Sequence, residues 1–252
     1  MFLGSIIIKY VNEAMPMNRR NLRVFVCAIA CALAGRDAEA QISLGVKGGV
    51  NFSDLAIKND ELSLNTRIAP NLGVIFNYPV TPTFSIQAEP GFSSRGGKIK
   101  EETVTDLAPG VPVQVVTRSV MKLSYFELPV MAQYRPYLTE KLQAIISVGP
   151  EVRLRVAPQK LKGKSEFYLN GELAESHTQH ESASDDEGVG KFDVGLAFGA
   201  GAAYPVGRFT VFAEARYHLG LYNVVSHIDT NTKAFNRGAS VALGVTVPIL
   251  NK

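Results

Sequence analysis

Two groups of residues have types and spacing that suggest chemistry, and the first is a cluster of histidine and acidic side chains. His177, His180 and Glu181 lie within one short segment, and Asp185 and Asp186 follow closely. Imidazole and carboxylate groups bind zinc or calcium, so these residues are the candidates for a metal site. A charged segment is more often a solvated surface, and we expect no metal to bind here.

His218, Ser226 and His227 form the second group and suggest an enzyme that hydrolyses or transfers acyl groups on lipid. Such an enzyme needs a nucleophile, a base and a third group that fixes the base. Nothing in the sequence around these residues fixes a base, so we expect no catalytic residue, no cofactor and no enzymatic activity. A lipid-modifying enzyme is kept as the least favoured alternative.

The elements that must position these residues are β-strands. Between residues 192 and 219 uncharged side chains occupy every second position, and the segment PVGR at 205–208 interrupts them. A period of two predicts strands, and a break that contains proline and glycine predicts a turn, so this segment is a predicted hairpin. The same alternation recurs along the chain and predicts eight strands, at residues 41–52, 71–78, 84–92, 122–135, 142–156, 192–204, 209–219 and 238–250.

The connections between these strands alternate between long and short. Residues 93–118 form one long connection, whose second half, 113–117, is predicted to extend as a protruding strand. Residues 157–190 form the longest, which we interpret as an irregular solvated loop because 172–187 contain six acidic residues and no lysine or arginine. Alternating long and short connections predict an all-β fold, an eight-stranded antiparallel up-and-down transmembrane β-barrel.

Aromatic residues distinguish a membrane barrel from a soluble one. Tyr78, Phe84, Tyr134, Tyr204 and Phe209 fall at the short-turn ends of the predicted strands. At the long-connection ends lie Phe52, Phe92, Phe192 and Tyr217. Two aromatic rings around an aliphatic band are typical of a barrel that spans a membrane with its apolar face outward. The alternative is a soluble, lipocalin-like periplasmic barrel that binds a ligand on an apolar inner face.

An outward apolar face leaves the charged face inside the barrel. Five charged residues are predicted near mid-depth in the lumen: Lys47, Glu89, Glu127, Glu214 and Arg216. Nearer the outer mouth we expect Glu151, Arg153, Asp193 and His218. Side chains fill the interior of an eight-stranded barrel, and buried charges must pair, so we expect a salt-bridged plug. The alternative is a lumen that conducts ions or relays protons.

The N-terminal residues differ in composition from the barrel domain that follows them. Residues 17–40 have the basic start, apolar run and A-x-A motif of a secretory signal peptide, and we expect residues 1–16 to be an over-extended start or a tail. The barrel domain is then 41–252, which contains no cysteine. Five of the 26 basic and three of the 23 acidic residues precede Gln41, which leaves a net charge of +1 and no electrostatic reason to bind nucleic acid.

Short motifs spread over the whole barrel domain carry a resemblance to a known family. They are GVKGGVN at 45–51, QAEPGF at 87–92, RGG at 95–97, YFELP at 125–129, GP at 149–150, DVG at 193–195, GAG at 199–201, RY at 216–217, GL at 220–221 and NR at 236–237. In this order the motifs resemble the PorT-like outer-membrane β-barrel family. The resemblance implies a small barrel in the Gram-negative outer membrane, and the founding member of that family is associated with a protein secretion system.

These observations together predict a small integral outer-membrane β-barrel with a structural, interaction or secretion-associated role, and not a general porin. The expected partners are outer-membrane lipid and proteins of a secretion or envelope complex. A soluble periplasmic ligand-binding barrel is the alternative of another class.

Overall fold

The computed structural model describes residues 41–58, 65–108, 111–169, 171–183, 190–224 and 233–249. These residues form twelve strands: β1 (Ser43–Lys58), β2 (Asn65–Thr81), β3 (Phe84–Ala88), β4 (Gly91–Arg95), β5 (Gly97–Ala108), β6 (Val111–Tyr134), β7 (Gln143–Arg155), β8 (Gln159–Leu169), β9 (Glu172–Ala183), β10 (Phe192–Val206), β11 (Phe209–Gly220) and β12 (Lys233–Pro248). In the described part of the chain no helix is long and apolar enough to span a membrane.

Eight antiparallel wall positions close into a ring. Around the ring the order is β1, β2, β3 with β4, the second half of β6, β7, β10, β11 and β12. β12 returns to β1, with pairing from Ser43 opposite Pro248 to Lys58 opposite Lys233. The predicted eight-stranded barrel is confirmed, and the hairpin predicted at 192–219 is β10 with β11.

β3 and β4 share one wall position, because both pair with β2 on one side and β6 on the other. The break between them contains Glu89 and Pro90. A proline has no N–H to donate to a sheet, and here the Pro90 carbonyl accepts from Val74 N at 2.9 Å while Glu89 N donates to Pro129 O at 3.1 Å. The strand predicted at 84–92 is therefore divided in two at Glu89 and Pro90.

The short connections lie at one end of the barrel. Ser43 lies opposite both Asn77 and Pro248, which places the start of β1 and the end of β12 beside the turn that follows β2. The turn between β10 and β11 contains Gly207 at a φ of 60°, a left-handed conformation that glycine adopts without steric cost. We call the opposite end of the barrel the long-loop end.

Beyond the long-loop end the chain builds a second sheet instead of open loops. β5, residues 111–122 of β6, β8 and β9 pair in that order, and we call these four strands the extension sheet. The strand predicted at 113–117 lies within β6 and is confirmed. The interpretation of 157–190 as one irregular loop is wrong, because Gln159–Leu169 and Glu172–Ala183 form a hairpin. Residues 184–189 lie outside the described part.

The barrel is apolar outside and polar inside. Leu72 and Leu243 on the outer face are 67% and 66% exposed, whereas Glu89 and Arg216 on the inner face are 1% and 5% exposed. A soluble lipocalin-like barrel needs the reverse arrangement, with apolar side chains inside. The soluble alternative is therefore wrong.

Candidate functional site

Four charged side chains meet inside the barrel on the short-turn side of its middle, and we call them the inner cluster: Lys47, Glu89, Glu214 and Arg216. Arg216 Nη1 and Nη2 donate to the two carboxylate oxygens of Glu89 at 2.6 and 2.5 Å. Arg216 Nη2 also donates to Glu214 at 2.6 Å, and Lys47 Nζ forms an ion pair with Glu89. Two cations and two anions balance one another, as buried charges require.

The Glu89–Arg216 pair crosses the lumen from wall to wall. Glu89 lies between β3 and β4, the third position of the ring, and Arg216 lies on β11, the seventh position. Positions three and seven are diametrically opposite in a ring of eight. A bidentate pair between them is a bar across the barrel, and the geometry of two parallel N–H···O bonds holds it in one orientation.

The short-turn side of this bar is also filled. Ile75, Ile145, Ala203 and Phe212 point inward and form a buried apolar cluster. The Phe212 ring lies against Gly244, where an added Cβ would come within 2.3 Å of the ring. An apolar layer therefore lies between the inner cluster and the short-turn end.

A second set of charges lies nearer the long-loop end, and we call it the outer cluster: Arg95, Glu127, Glu151, Arg153 and Asp193. Arg95 Nε donates to Glu127 at 2.7 Å, and Arg153 Nη1 donates to Asp193 at 2.6 Å. Arg153 also forms an ion pair with Glu151. The cluster joins four consecutive wall strands, β4, β6, β7 and β10, on their inner side.

His218 connects Glu151 to Ser240. His218 Nδ1 lies 2.9 Å from Glu151 Oε2, and Nε2 lies 2.9 Å from Ser240 Oγ. The order serine, histidine, carboxylate is that of a hydrolase triad, in which histidine removes the serine proton. All three residues are buried, however, and the adjoining cavity has a volume of about 20 Å³, which is room for one water molecule. No lipid substrate fits beside Ser240 in this arrangement.

All five charged residues predicted for mid-depth face the lumen. Four form the inner cluster, and Glu127 belongs to the outer cluster. Arg95 was missed by the sequence reasoning, because the predicted strand ends at Phe92 although the alternation continues through Ser93 and Arg95. Ser240 was also missed, since a serine on an inner face carries no signal of its partner.

A family model described as an outer membrane protein beta-barrel domain matches residues 35–226. The chain belongs to this family. It is accordingly a protein of the cell outer membrane, and its exposed aliphatic outer face is the surface that contacts lipid. In outer-membrane barrels the short turns face the periplasm and the long loops face outward, so we assign the extension sheet to the extracellular side.

Several solved structures of small outer-membrane proteins are similar to this chain in fold. Neisserial surface protein A is 11% identical over 82% of this chain and 97% of its own, with a TM-score of 0.39. The outer membrane protein OprG from Pseudomonas aeruginosa is 13% identical over 82% and 96%, with a TM-score of 0.42. Ail, the attachment invasion locus protein of Yersinia pestis, is 14% identical over 82% and 98%, with a TM-score of 0.31. No curated protein matches the chain.

The three residues considered for a metal site lie on β9. Their side chains alternate, so His177 and Glu181 are on one face of the extension sheet and His180 is on the other. His177 Nε2 contacts Glu175 Oε1 at 2.8 Å, and its ring packs edge-on against Phe167. The three side chains therefore do not converge on one ion. Asp185, Asp186, Ser226 and His227 lie outside the described residues.

The two faces of the extension sheet differ in charge. Paired residues of β5, β6, β8 and β9 share a face, and seven basic residues fall on the same one. We call this the basic face: Lys98, Lys100, Arg118, Lys122, Lys160, Lys162 and Lys164. The opposite face carries Glu101, Glu175 and Glu181, and among the described residues it carries no lysine or arginine.

Proposed function

We propose that this protein is a closed, non-enzymatic outer-membrane barrel whose role lies in the sheet that it holds outside the membrane, and that it is not a general porin. The Glu89–Arg216 pair is the observation that carries this proposal. It spans the lumen diameter, and the apolar layer on its periplasmic side adds a second closure. Opening a path requires both layers to separate, and separating the pair leaves two buried charges without partners.

The extension sheet is the feature that supports an interaction role. A barrel needs only short connections to close, yet 47 residues of β5, of 111–122 in β6, of β8 and of β9 build ordered structure beyond it. Edge strands and charged faces outside a membrane are surfaces on which other molecules bind. The resemblance to the PorT-like family supports a partner in a secretion or envelope complex, and export by a deletion strain tests that part of the proposal.

Single-channel recording tests the closed lumen. The refolded protein in planar lipid bilayers should show no steady open levels, because the inner cluster and the apolar layer both occlude the path. Heat-modifiable gel mobility should show in the same preparation that the barrel is folded. Steady, long-lived open levels from the wild-type protein would contradict the proposal.

A variant of the same chain provides the positive control. Replacing Glu89, Arg216 and Phe212 together by alanine removes the bar and the largest side chain of the apolar layer, and leaves Lys47 and Glu214 as one cation and one anion. The outer cluster still narrows the lumen, so the folded variant should show brief openings more often than the wild type, which shows that the recording detects a loosened lumen.

A further inference from the structure

The basic face carries more positive charge than its own acids neutralise. Glu102 forms an ion pair with Lys100 at 2.5 Å, and Glu166 binds Lys164 at 2.6 Å and also Arg118. The other four bases are Lys98, Lys122, Lys160 and Lys162, and they form no ion pair within the described residues. These four side chains are all exposed.

The four lysines are close together because the strand register places them so. Lys122 lies directly opposite Lys160, and Lys98 and Lys162 lie on either side of Val120. Side chains directly opposite in an antiparallel pair have Cβ atoms about 5 Å apart, and like charges at such positions are destabilising. An anion between them relieves that repulsion, so the arrangement favours a ligand with closely spaced negative charges.

The lysines also lie directly above the lipid-facing wall. β6 runs without interruption from the extension sheet into the barrel, and Lys122 is on the same face as Phe126 and Leu128. Phe126 packs edge-on against Phe92 with ring centroids 5.6 Å apart, and Phe92 is one of the aromatic residues at the long-loop ends of the strands, which in membrane barrels lie at the interface. Four residues of a tilted strand separate Lys122 from Phe126, a rise of about 10 Å along the membrane normal. That height is the lipid headgroup region.

We propose that the basic face binds the phosphate groups of the lipid A headgroups that surround the barrel in the outer leaflet. Lysine ammonium groups bind phosphate as point charges, and a cluster of them at a membrane surface attracts anionic headgroups. The face is turned toward lipid and not toward the barrel mouth, which favours a ligand in the same membrane over a soluble one. This inference rests on the extracellular position of the extension sheet.

Lipid binding by the full-length protein tests the inference. The wild type and the variant Lys122→Gln/Lys160→Gln, each carrying a donor dye, are placed in phosphatidylcholine nanodiscs with fluorescent lipid A. Energy transfer from the dye to the lipid measures how strongly lipid A is enriched around the protein. Each lysine near an anionic surface contributes about a fivefold preference, so the variant should lose roughly 25-fold. Dephosphorylated lipid A should show low transfer that is the same for both proteins.

The matched control is Lys141→Gln/Arg208→Gln, which removes the same charge from exposed residues of two periplasmic turns. It should bind lipid A as the wild type does. Unchanged lipid A binding by Lys122→Gln/Lys160→Gln would overturn the inference. So would tight binding of a soluble sulfated oligosaccharide that the variant loses while its lipid A binding is unchanged, because the ligand would then be a soluble polyanion. Folding is followed by gel mobility and the closed lumen by conductance, so a failure here is distinguishable from a failure of the proposed function.

Discussion

The lumen and the extension sheet handle charge in opposite ways. In the lumen every member of the inner cluster contacts an opposite charge, and cations and anions are equal in number. On the basic face of the extension sheet seven bases share the surface with Glu102, Asp106 and Glu166. The difference follows from water: a buried charge without a partner costs several kcal/mol, whereas an exposed one costs little.

This difference separates the two regions by role. The charges of the inner cluster pair with one another, so they hold strands together and present no unpaired charge to a ligand. Charges on the basic face are sorted to one side of a sheet and left available, as they are on surfaces that bind an oppositely charged partner. Charged residues are therefore abundant in the lumen, but the charges that a ligand can reach are those of the basic face.

Breaking the bar across the lumen should have the largest effect. Glu89→Ala leaves Arg216 without its bidentate partner and should lower the free energy of unfolding by about 3–5 kcal/mol, measured by urea titration in detergent micelles. Glu102→Ala removes an exposed acid from the extension sheet and should change it by less than about 0.5 kcal/mol.

The double variant Glu89→Ala/Arg216→Ala sharpens the same experiment. It removes one anion and one cation, so it should be less destabilised than the sum of the single variants. Additive losses would show that Glu89 and Arg216 do not act as a pair, and equal losses for Glu89→Ala and Glu102→Ala would remove the distinction between the two regions.

Glycine substitutions compare the packing of the two regions and should have an intermediate effect. A Cβ added at Gly199 in the lumen would lie 2.3 Å from Ser147 Oγ and 2.4 Å from Glu214 Oε1. Gly199→Ala should therefore destabilise the barrel by about 1–3 kcal/mol, as overpacking does, in the same urea titration. At Gly163 on the extension sheet the nearest atom is Ser119 Oγ at 3.9 Å, so Gly163→Ala is the control and should be tolerated. A greater loss for Gly163→Ala would contradict the assignment of tight packing to the lumen.

A charge within the extension sheet should have the smallest effect, and that effect should depend on pH. Hydrogen bonds from Lys164 and Arg118 hold the pKa of the Glu166 carboxyl below its usual range. A lowered pKa gives stability that is present above the unfolded-state pKa and is lost as the pH falls through the folded-state value. The melting temperature of Glu166→Gln should thus lie slightly below that of the wild type at pH 7, and the difference should disappear in acid. Glu101→Gln, which removes an exposed carboxylate from the opposite face, is the matched variant for comparison at each pH. A constant offset for Glu166→Gln would exclude the Glu166 carboxylate as its cause.

Much of the barrel could be predicted because its signal is local. The hairpin predicted at 192–204 and 209–219 is observed as Phe192–Val206 and Phe209–Gly220. It could be predicted because apolar residues at every second position identify a strand from the sequence alone. The hairpin of β8 and β9 was not predicted, because it lacks this local signal. β8 reads QKLKGKSEFYL, and neither of its faces carries the continuous apolar stripe by which a strand is recognised. The acidic composition of residues 172–187 then favoured the prediction of a loop over that of a strand.

The sequence by itself determined the strands of the barrel, the outward direction of their apolar face and most of the charged side chains that lie inside. Those properties depend on neighbours one or two residues away. Only the tertiary structure decided which charges meet: Glu89 and Arg216 are 127 residues apart and touch because ring closure places their strands opposite one another. It also decided that β6 pairs with β8, where Thr117 and Ser165 are 48 residues apart, and this pairing collects the lysines on one face. Contacts between distant segments depend on the register of every strand between them, and a local sequence pattern does not determine those registers.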